Sequence, residues 1–204
     1  MSLLLELDAA IAGYGRTRVV GPVTLQCRLG EAIAIDGPPG SGRSTLLQMV
    51  MGRADLIDGR CRLFGGAVGA GSWRLRPWSR ALGVVWNTRD APLGLTVDET
   101  LGLVGYVDTA MPQVAKWMAM TPLQERLKSA VATLSGGERT VLAATCALTR
   151  ARGGLLLFDD LTASLQPSVA DALADLLKDW VDRKTLGLVF TEESDLVRDR
   201  LATT

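Results

Sequence analysis

The chain of 204 residues carries 22 basic and 22 acidic side chains, 48% apolar residues and no histidine. This length suits one large domain or two small ones with a real core, and the balanced charge leaves no electrostatic footprint for nucleic acid or an anionic membrane. The missing imidazole excludes Ser-His-Asp and Cys-His nucleophilic pairs, His-ligated metals and imidazole acid–base catalysis, which leaves carboxylates, hydroxyls, backbone amides or a bound ion.

In chain order, the apolar runs Glu31 to Asp36, Leu82 to Trp86, Leu155 to Phe158 and Leu186 to Phe190 predict strands. Two helices follow from spacing. One starts at Ser135-Gly-Gly-Glu138 and carries Val141, Leu142, Thr145, Cys146 and Leu148 on one face; the other starts at Pro167 and carries Val169, Ala170, Leu173, Leu176, Leu177 and Trp180. Near-continuous apolar strands alternating with helices point to a parallel α/β sheet. The stretch 87–134, with Pro92, Pro112 and Pro122 and scattered helical pattern, reads as an inserted helical region. Cys27, Cys61 and Cys146 match no zinc or redox spacing and predict three reduced, mostly buried thiols. No apolar run reaches the ~18 residues of a spanning helix and the N-terminus lacks a signal layout, so the chain is expected to be cytosolic.

Three segments carry chemistry. The first is Gly37-Pro-Pro-Gly40-Ser41-Gly42-Arg43-Ser44-Thr45, between a strand and a helix start, which fits G-x-x-x-x-G-K-[ST] except at Arg43. Such glycines turn successive N–H groups toward one anion, the helix start adds a favourable dipole, and a hydroxyl such as Ser44 ligates Mg²⁺. The plain alternative is an ordinary Gly/Pro turn. Arg43 keeps the charge of lysine but offers a wide planar fork instead of a compact ammonium, and Pro39 removes one amide donor. The second segment is Leu155-Leu-Leu-Phe158-Asp159-Asp160, a buried-strand pattern ending in two acids that could hold Mg²⁺ and orient water. The third, Leu134-Ser135-Gly136-Gly137-Glu138, reads locally as a helix capping box.

Taken together, and over nearly the whole chain, these segments resemble the nucleotide-binding subunit of ABC transporters, whose signature is LSGGE. Tyr14 matches the residue that stacks on adenine, Asn87 falls at the Q-loop glutamine, Leu161 to Gln166 follows as the D-loop does, and Thr191-Glu192 stands where the family has Thr-His. The resemblance implies an α/β fold: a P-loop NTPase core on a mostly parallel sheet, an N-terminal antiparallel β subdomain and an inserted α-helical subdomain. The whole chain would be one ATP-binding domain, with 1–86 and 135–204 forming the core and 87–134 the insert. It further implies ATP and Mg²⁺ as ligands, held by Tyr14, Gly37, Gly40, Ser41, Gly42, Arg43, Ser44 and Thr45, with Ser44, Asp159 and Asn87 near the metal. Asp160, Glu192 and Asn87 occupy the catalytic positions. Ser135, Gly136, Gly137 and Glu138 would be lent to a second ATPase subunit.

The departures from the family pattern fall on one side. Arg43, Asn87, Asp160, Gln166 and Glu192 replace lysine, glutamine, glutamate, aspartate and histidine in the chain's own site, whereas the lent signature is intact. Asp160 sets its carboxylate about 1.5 Å back from glutamate's position. A misplacement of that order costs roughly 10²-fold, and lost general-base help typically ~10²–10⁴-fold. Glu192 would place a negative charge where a donor should meet the γ-phosphate. The expectation is a site that binds ATP and hydrolyses it slowly or not at all, paired with a competent partner chain. A homodimeric slow ATPase and a non-catalytic regulatory or scaffold module remain alternatives. Transmembrane subunits would dock near Asn87 and residues 91–95, with Leu101, Leu103, Val104, Trp117 and Met118 close by or simply forming subdomain core. That docking would hold the chain on the inner face of the cell membrane.

Overall fold

The computed structural model describes residues 3–68, 81–85, 91–192 and 195–202. The chain opens with two long antiparallel strands, β1 (Leu3–Tyr14) and β2 (Thr17–Arg28). After the short β3 (Ala32–Ala34) and helix α1 (Arg43–Val50) it returns through β4 (Asp55–Leu63) and β5 (Gly66–Ala67). Strands β2, β1, β4 and β5 lie side by side in that order as one antiparallel sheet.

The apolar-run reading placed no strand before Glu31, although β1 and β2 span 12 residues each. The cause is visible in the register, which shifts at several points between Leu3 and Gly13, with Ala9 in a left-handed conformation at φ 46. Each bulge resets which face a side chain meets, so inside–outside alternation is lost.

The second sheet is parallel and has the order β3–β8–β7–β6, built from β6 (Leu82–Val84), β7 (Leu155–Asp159) and β8 (Gly187–Thr191) with β3. Strands β7 and β8 match the expected apolar runs. They are buried on both faces, as parallel sheets are. Period-two geometry sends Leu155, Leu157 and Val189 into one cluster with Leu46, Leu47, Met49 and Val50 of α1, and Leu156, Phe158, Leu188 and Phe190 into the opposite one. The opposite cluster is filled by α4 (Gly136–Ala151) and α5 (Pro167–Asp182), both where their periodicity placed them. Gly83 lets β6 lie directly on α4: a Cβ there would sit 2.1 Å from the Ala147 carbonyl oxygen. The predicted strand at Glu31 to Asp36 shrinks to Ala32–Ala34, although Ile35 N–H still donates to the Phe190 carbonyl at 2.8 Å. The strand expected over Leu82 to Trp86 ends at Val84, although the Val85 N–H still donates to the Leu157 carbonyl at 3.0 Å, and Trp86 lies outside the described residues.

Between the sheets' strands in sequence, residues 91–134 hold α2 (Val97–Leu103), α3 (Pro112–Met118) and short 3-10 turns at Asp108–Ala110, Pro122–Arg126 and Val131–Thr133. Thr96 and Glu99 cap α2 reciprocally. Trp117 is buried and its indole N–H donates to the Val169 carbonyl at 3.0 Å, which ties α3 to α5. A final helix, α6 (Asp195–Leu201), packs on α5. All three cysteines are free and buried, and burial pushes each thiol up to about 12, so none is a reactive thiolate.

Candidate functional site

In a parallel sheet, ligands gather at the carboxyl ends of the strands. At that edge the structure sets the loop after β3, Asp159-Asp160 after β7 and Thr191-Glu192 after β8 side by side, because β8 pairs with both β3 and β7.

The loop is folded by its own side chains and glycines. Asp36 Oδ1 accepts the Gly37 N–H at 2.7 Å and also pairs with Arg198 Nη1 of α6 at 3.2 Å. Ser41 N–H donates to the Pro38 carbonyl at 3.1 Å. Gly42 is the N-cap of α1 at φ 92, where an added Cβ would lie 2.7 Å from Val20 Cβ. Only glycine meets both conditions. Arg43, Ser44 and Thr45 form the first turn of α1; Ser44 is exposed and Thr45 buried. Ser41 Oγ is buried without a hydrogen-bond partner, whereas a Cβ on Gly40 would meet nothing within 4 Å. A buried hydroxyl lacking a partner beside open backbone and a helix start fits a polyphosphate, which would satisfy it. We expect Gly42→Ala to lower affinity for a fluorescent ATP analogue about 10-fold or more in titration, since strain of this kind costs about 1–3 kcal/mol.

Tyr14 closes β1 as a half-exposed ring, and its hydroxyl donates to Gln48 Oε1 of α1 at 2.6 Å. This pair holds the ring beside the helix that carries Arg43 and Ser44 while leaving ring surface accessible. Asp159 Oδ1 accepts from the Thr191 hydroxyl, so the acid at the end of β7 is oriented by the end of β8. Asp160 has φ 48, and its N–H reaches both the carbonyl (3.0 Å) and the hydroxyl (3.2 Å) of Thr191. Glu192 is 2% exposed and accepts the Thr162 N–H at 3.3 Å, so its carboxylate engages the chain's own 162–164 turn. Asn87 lies outside the described residues.

Ser135 to Glu138 form the start of α4 as a complete capping box: Ser135 N–H donates to Glu138 Oε2 at 2.7 Å and Glu138 N–H to Ser135 Oγ at 3.2 Å. The bond from the Ser135 backbone holds the Glu138 carboxyl below the ordinary range, with Arg126 at 3.4 Å as a smaller contributor. Ser135 and Gly136 are exposed, and Gln166 is the N-cap of α5. Asp36, Gln48 and Arg198 lie outside the motifs of the sequence, and the place of Thr191 in Thr191-Glu192 does not show that its hydroxyl orients Asp159. Asp36 directly precedes Gly37 and was findable, but the Arg198 contact spans 162 residues and has no local signal.

Residues 20–163 match the protein family described as ABC transporter. The chain belongs to the ABC transporter family. It is 31% identical over 196 residues to the probable branched-chain amino acid transport ATP-binding protein LivF of Archaeoglobus fulgidus, covering 90% of this chain and 78% of that one. It is also 31% identical to the methionine import ATP-binding protein MetN of Rhizobium johnstonii, over 93% of this chain and 55% of that one, so it spans about half that relative's length. A solved ATP-binding subunit of an ABC transporter superposes with TM-score 0.82 at 23% identity, covering 98% of this chain and 83% of that chain. A dimeric ATP-binding cassette holding ADP and Pi superposes with TM-score 0.79 at 20% identity, covering 97% and 91%. The α/β architecture is therefore that of the ABC ATP-binding cassettes, and among the described residues of this ABC protein no helix is long and apolar enough to cross a membrane.

Proposed function

We propose that this ABC protein is the ATP-binding subunit of a transporter in which its own site holds ATP·Mg²⁺ with little or no turnover while its Ser135–Glu138 segment completes the site of a competent partner subunit. The observation that carries this reading is the contrast between the two halves. The own-site positions Arg43, Asp160 and Glu192 depart from the family pattern, whereas the lent segment is intact, capped and exposed at Ser135 and Gly136.

Tyr14 would face the base. The amides of Gly40, Gly42 and Thr45, the buried Ser41 hydroxyl and the Arg43 guanidinium would hold phosphates, in a loop shaped by the Gly37 and Ser41 amides bonded to Asp36 and Pro38, and Ser44 with Asp159 would hold the metal. Mg²⁺ held there would supply positive charge that offsets the charge of the phosphates. Asp160 stands at the position of the water-orienting acid with one methylene too few, on a backbone pinned to Thr191. A Glu192 carboxylate would bring no donor to the terminal phosphate, and one of its oxygens accepts the Thr162 N–H.

Transport of a small solute such as an amino acid is supported by the likeness to LivF, a branched-chain amino acid transport protein, and import by the likeness to MetN, a methionine import protein. Transmembrane subunits would dock on the face that leaves Leu93 and Leu103 exposed at 50% and 72%, placing the protein peripherally on the inner membrane face. Of the other apolar residues weighed for that face, Leu101, Trp117 and Met118 are subdomain core. Residues 1–86 with 135–204 would form the core of this unit and 87–134 its insert.

The test compares ATP turnover of the purified chain alone with its binding of a fluorescent ATP analogue. We expect binding with turnover near background. Robust turnover abolished by Asp160→Asn would overturn the proposal in favour of a slow homodimeric ATPase, the reading that the retained carboxylate at Asp160 favours.

A further inference from the structure

The signature segment and the strand ends of the nucleotide site are far apart in sequence, yet one short turn touches both. At one end of this turn, the Thr162 N–H donates to Glu192 Oε2 at 3.3 Å, and both residues are buried. At the other end, the Ser164 and Thr140 hydroxyls meet at 2.7 Å. Thr140 donates its own hydroxyl proton to the Gly136 carbonyl at 3.1 Å, which leaves Ser164 as the donor in that pair. Packing seals the same contact: a Cβ on Gly137 would lie 3.0 Å from the Ser164 carbonyl oxygen. Leu165 N–H closes the turn onto the Thr162 carbonyl at 2.9 Å.

From these contacts we infer that residues 162–164 form a polar strut that sets the position of the signature segment from the end of β8, with Glu192, Ser164 and Thr140 as its positioning residues. The strut runs from the Glu192 carboxylate through the Thr162 amide and the Ser164 hydroxyl to Thr140 and the Gly136 carbonyl. Two properties suit it to the task. The 3-10 turn is only three residues long and is closed by the Leu165 N–H on the Thr162 carbonyl, so its two ends lie a short, defined distance apart. Hydrogen bonds are also directional in a way that apolar packing is not. Glu192 therefore acts on the lent segment through the turn, and nothing in this role requires it to touch nucleotide. The inference rests on the proposed lending of Ser135 to Glu138 for its functional meaning, but the strut itself is a property of the isolated chain.

Amide hydrogen exchange on the full-length chain without nucleotide or partner tests it. Glu192→Ala is expected to speed exchange about 3- to 5-fold in 160–166 and also in 135–141, the scale of one lost hydrogen bond. Glu192→Gln keeps an acceptor oxygen and should return both segments to the wild-type rate. Ser164→Ala should reproduce the effect in 135–141, and the double variant Glu192→Ala with Ser164→Ala should add nothing further there, because both changes cut one connection. Exchange confined to 160–166, an equal rise across β7 and α5, or additive effects in 135–141 would each overturn the strut. Failure of the lending proposal would show elsewhere, in a paired ATPase indifferent to Ser135→Arg.

Discussion

Ser135→Arg in this chain is expected to cut ATP turnover of a complex with a competent partner by about 10²-fold or more, the scale of lost transition-state positioning. Asp160→Asn in the same chain should leave that turnover nearly unchanged. The two substitutions separate the lent half from the own half. Ser135 is exposed at the start of α4, where its hydroxyl caps the helix by accepting the Glu138 N–H. Arginine there removes the cap and puts a bulky cation in place of a small hydroxyl, with a local helix cost of about 1 kcal/mol. That cost is small against total stability, so the loss of turnover reports on the interface and not on unfolding. Under the proposed function, Asp160 is one methylene shorter than the glutamate of the family pattern, so removing its charge should take little from a site that would contribute little. Steady-state turnover of the co-purified pair, with circular dichroism to confirm the fold, makes the comparison. Equal sensitivity to both substitutions would mean two equivalent working sites and would refute the asymmetric reading.

Phe158→Ala should destabilise the chain by about 3–5 kcal/mol, the range for deleting a fully buried aromatic. Phe158 and Phe190 have no solvent exposure, and their rings stack with centroids 5.0 Å apart and planes inclined by 29°. Each ring sits one residue before a polar group of the candidate site, Asp159 and Thr191, which bond to each other. A cavity beneath that pair should therefore lower nucleotide affinity together with the melting temperature, by roughly 10 °C for a chain of this size. Leu103→Ala, at 72% exposure, is the control and should shift stability by no more than ~0.5 kcal/mol. Thermal melts with and without ATP would show both effects.

How much of this was legible beforehand varied by element. Strands β7 and β8 and helices α4 and α5 were readable because both-face burial makes continuous apolar runs and because Ser135 with Glu138 and Pro167 mark helix starts. The phosphate loop was readable because its glycines are spaced for one anion. The sheet of β1, β2 and β4 was invisible to patterning, since bulges between Leu3 and Gly13 break the period that a strand reading needs. Glu192 shows a different limit. Its place after the last apolar run was readable, but the direction of its carboxylate is set by the Thr162 amide, which is 30 residues away in the chain. The bond between Tyr14 and Gln48, 34 residues apart, is hidden for the same reason.

The order β3–β8–β7–β6 carries a consequence for how the protein is made. Residues 32–34 and 155–159 do not pair with each other, and both pair with residues 187–191, which follow them in the chain. As the chain emerges from the ribosome, the glycine loop and the acid at Asp159 are therefore held apart until Thr191 is available to sit between them. The gap in the half-built sheet closes only when β8 inserts between β3 and β7, so the two halves of the candidate site come together through a strand distant from both in sequence.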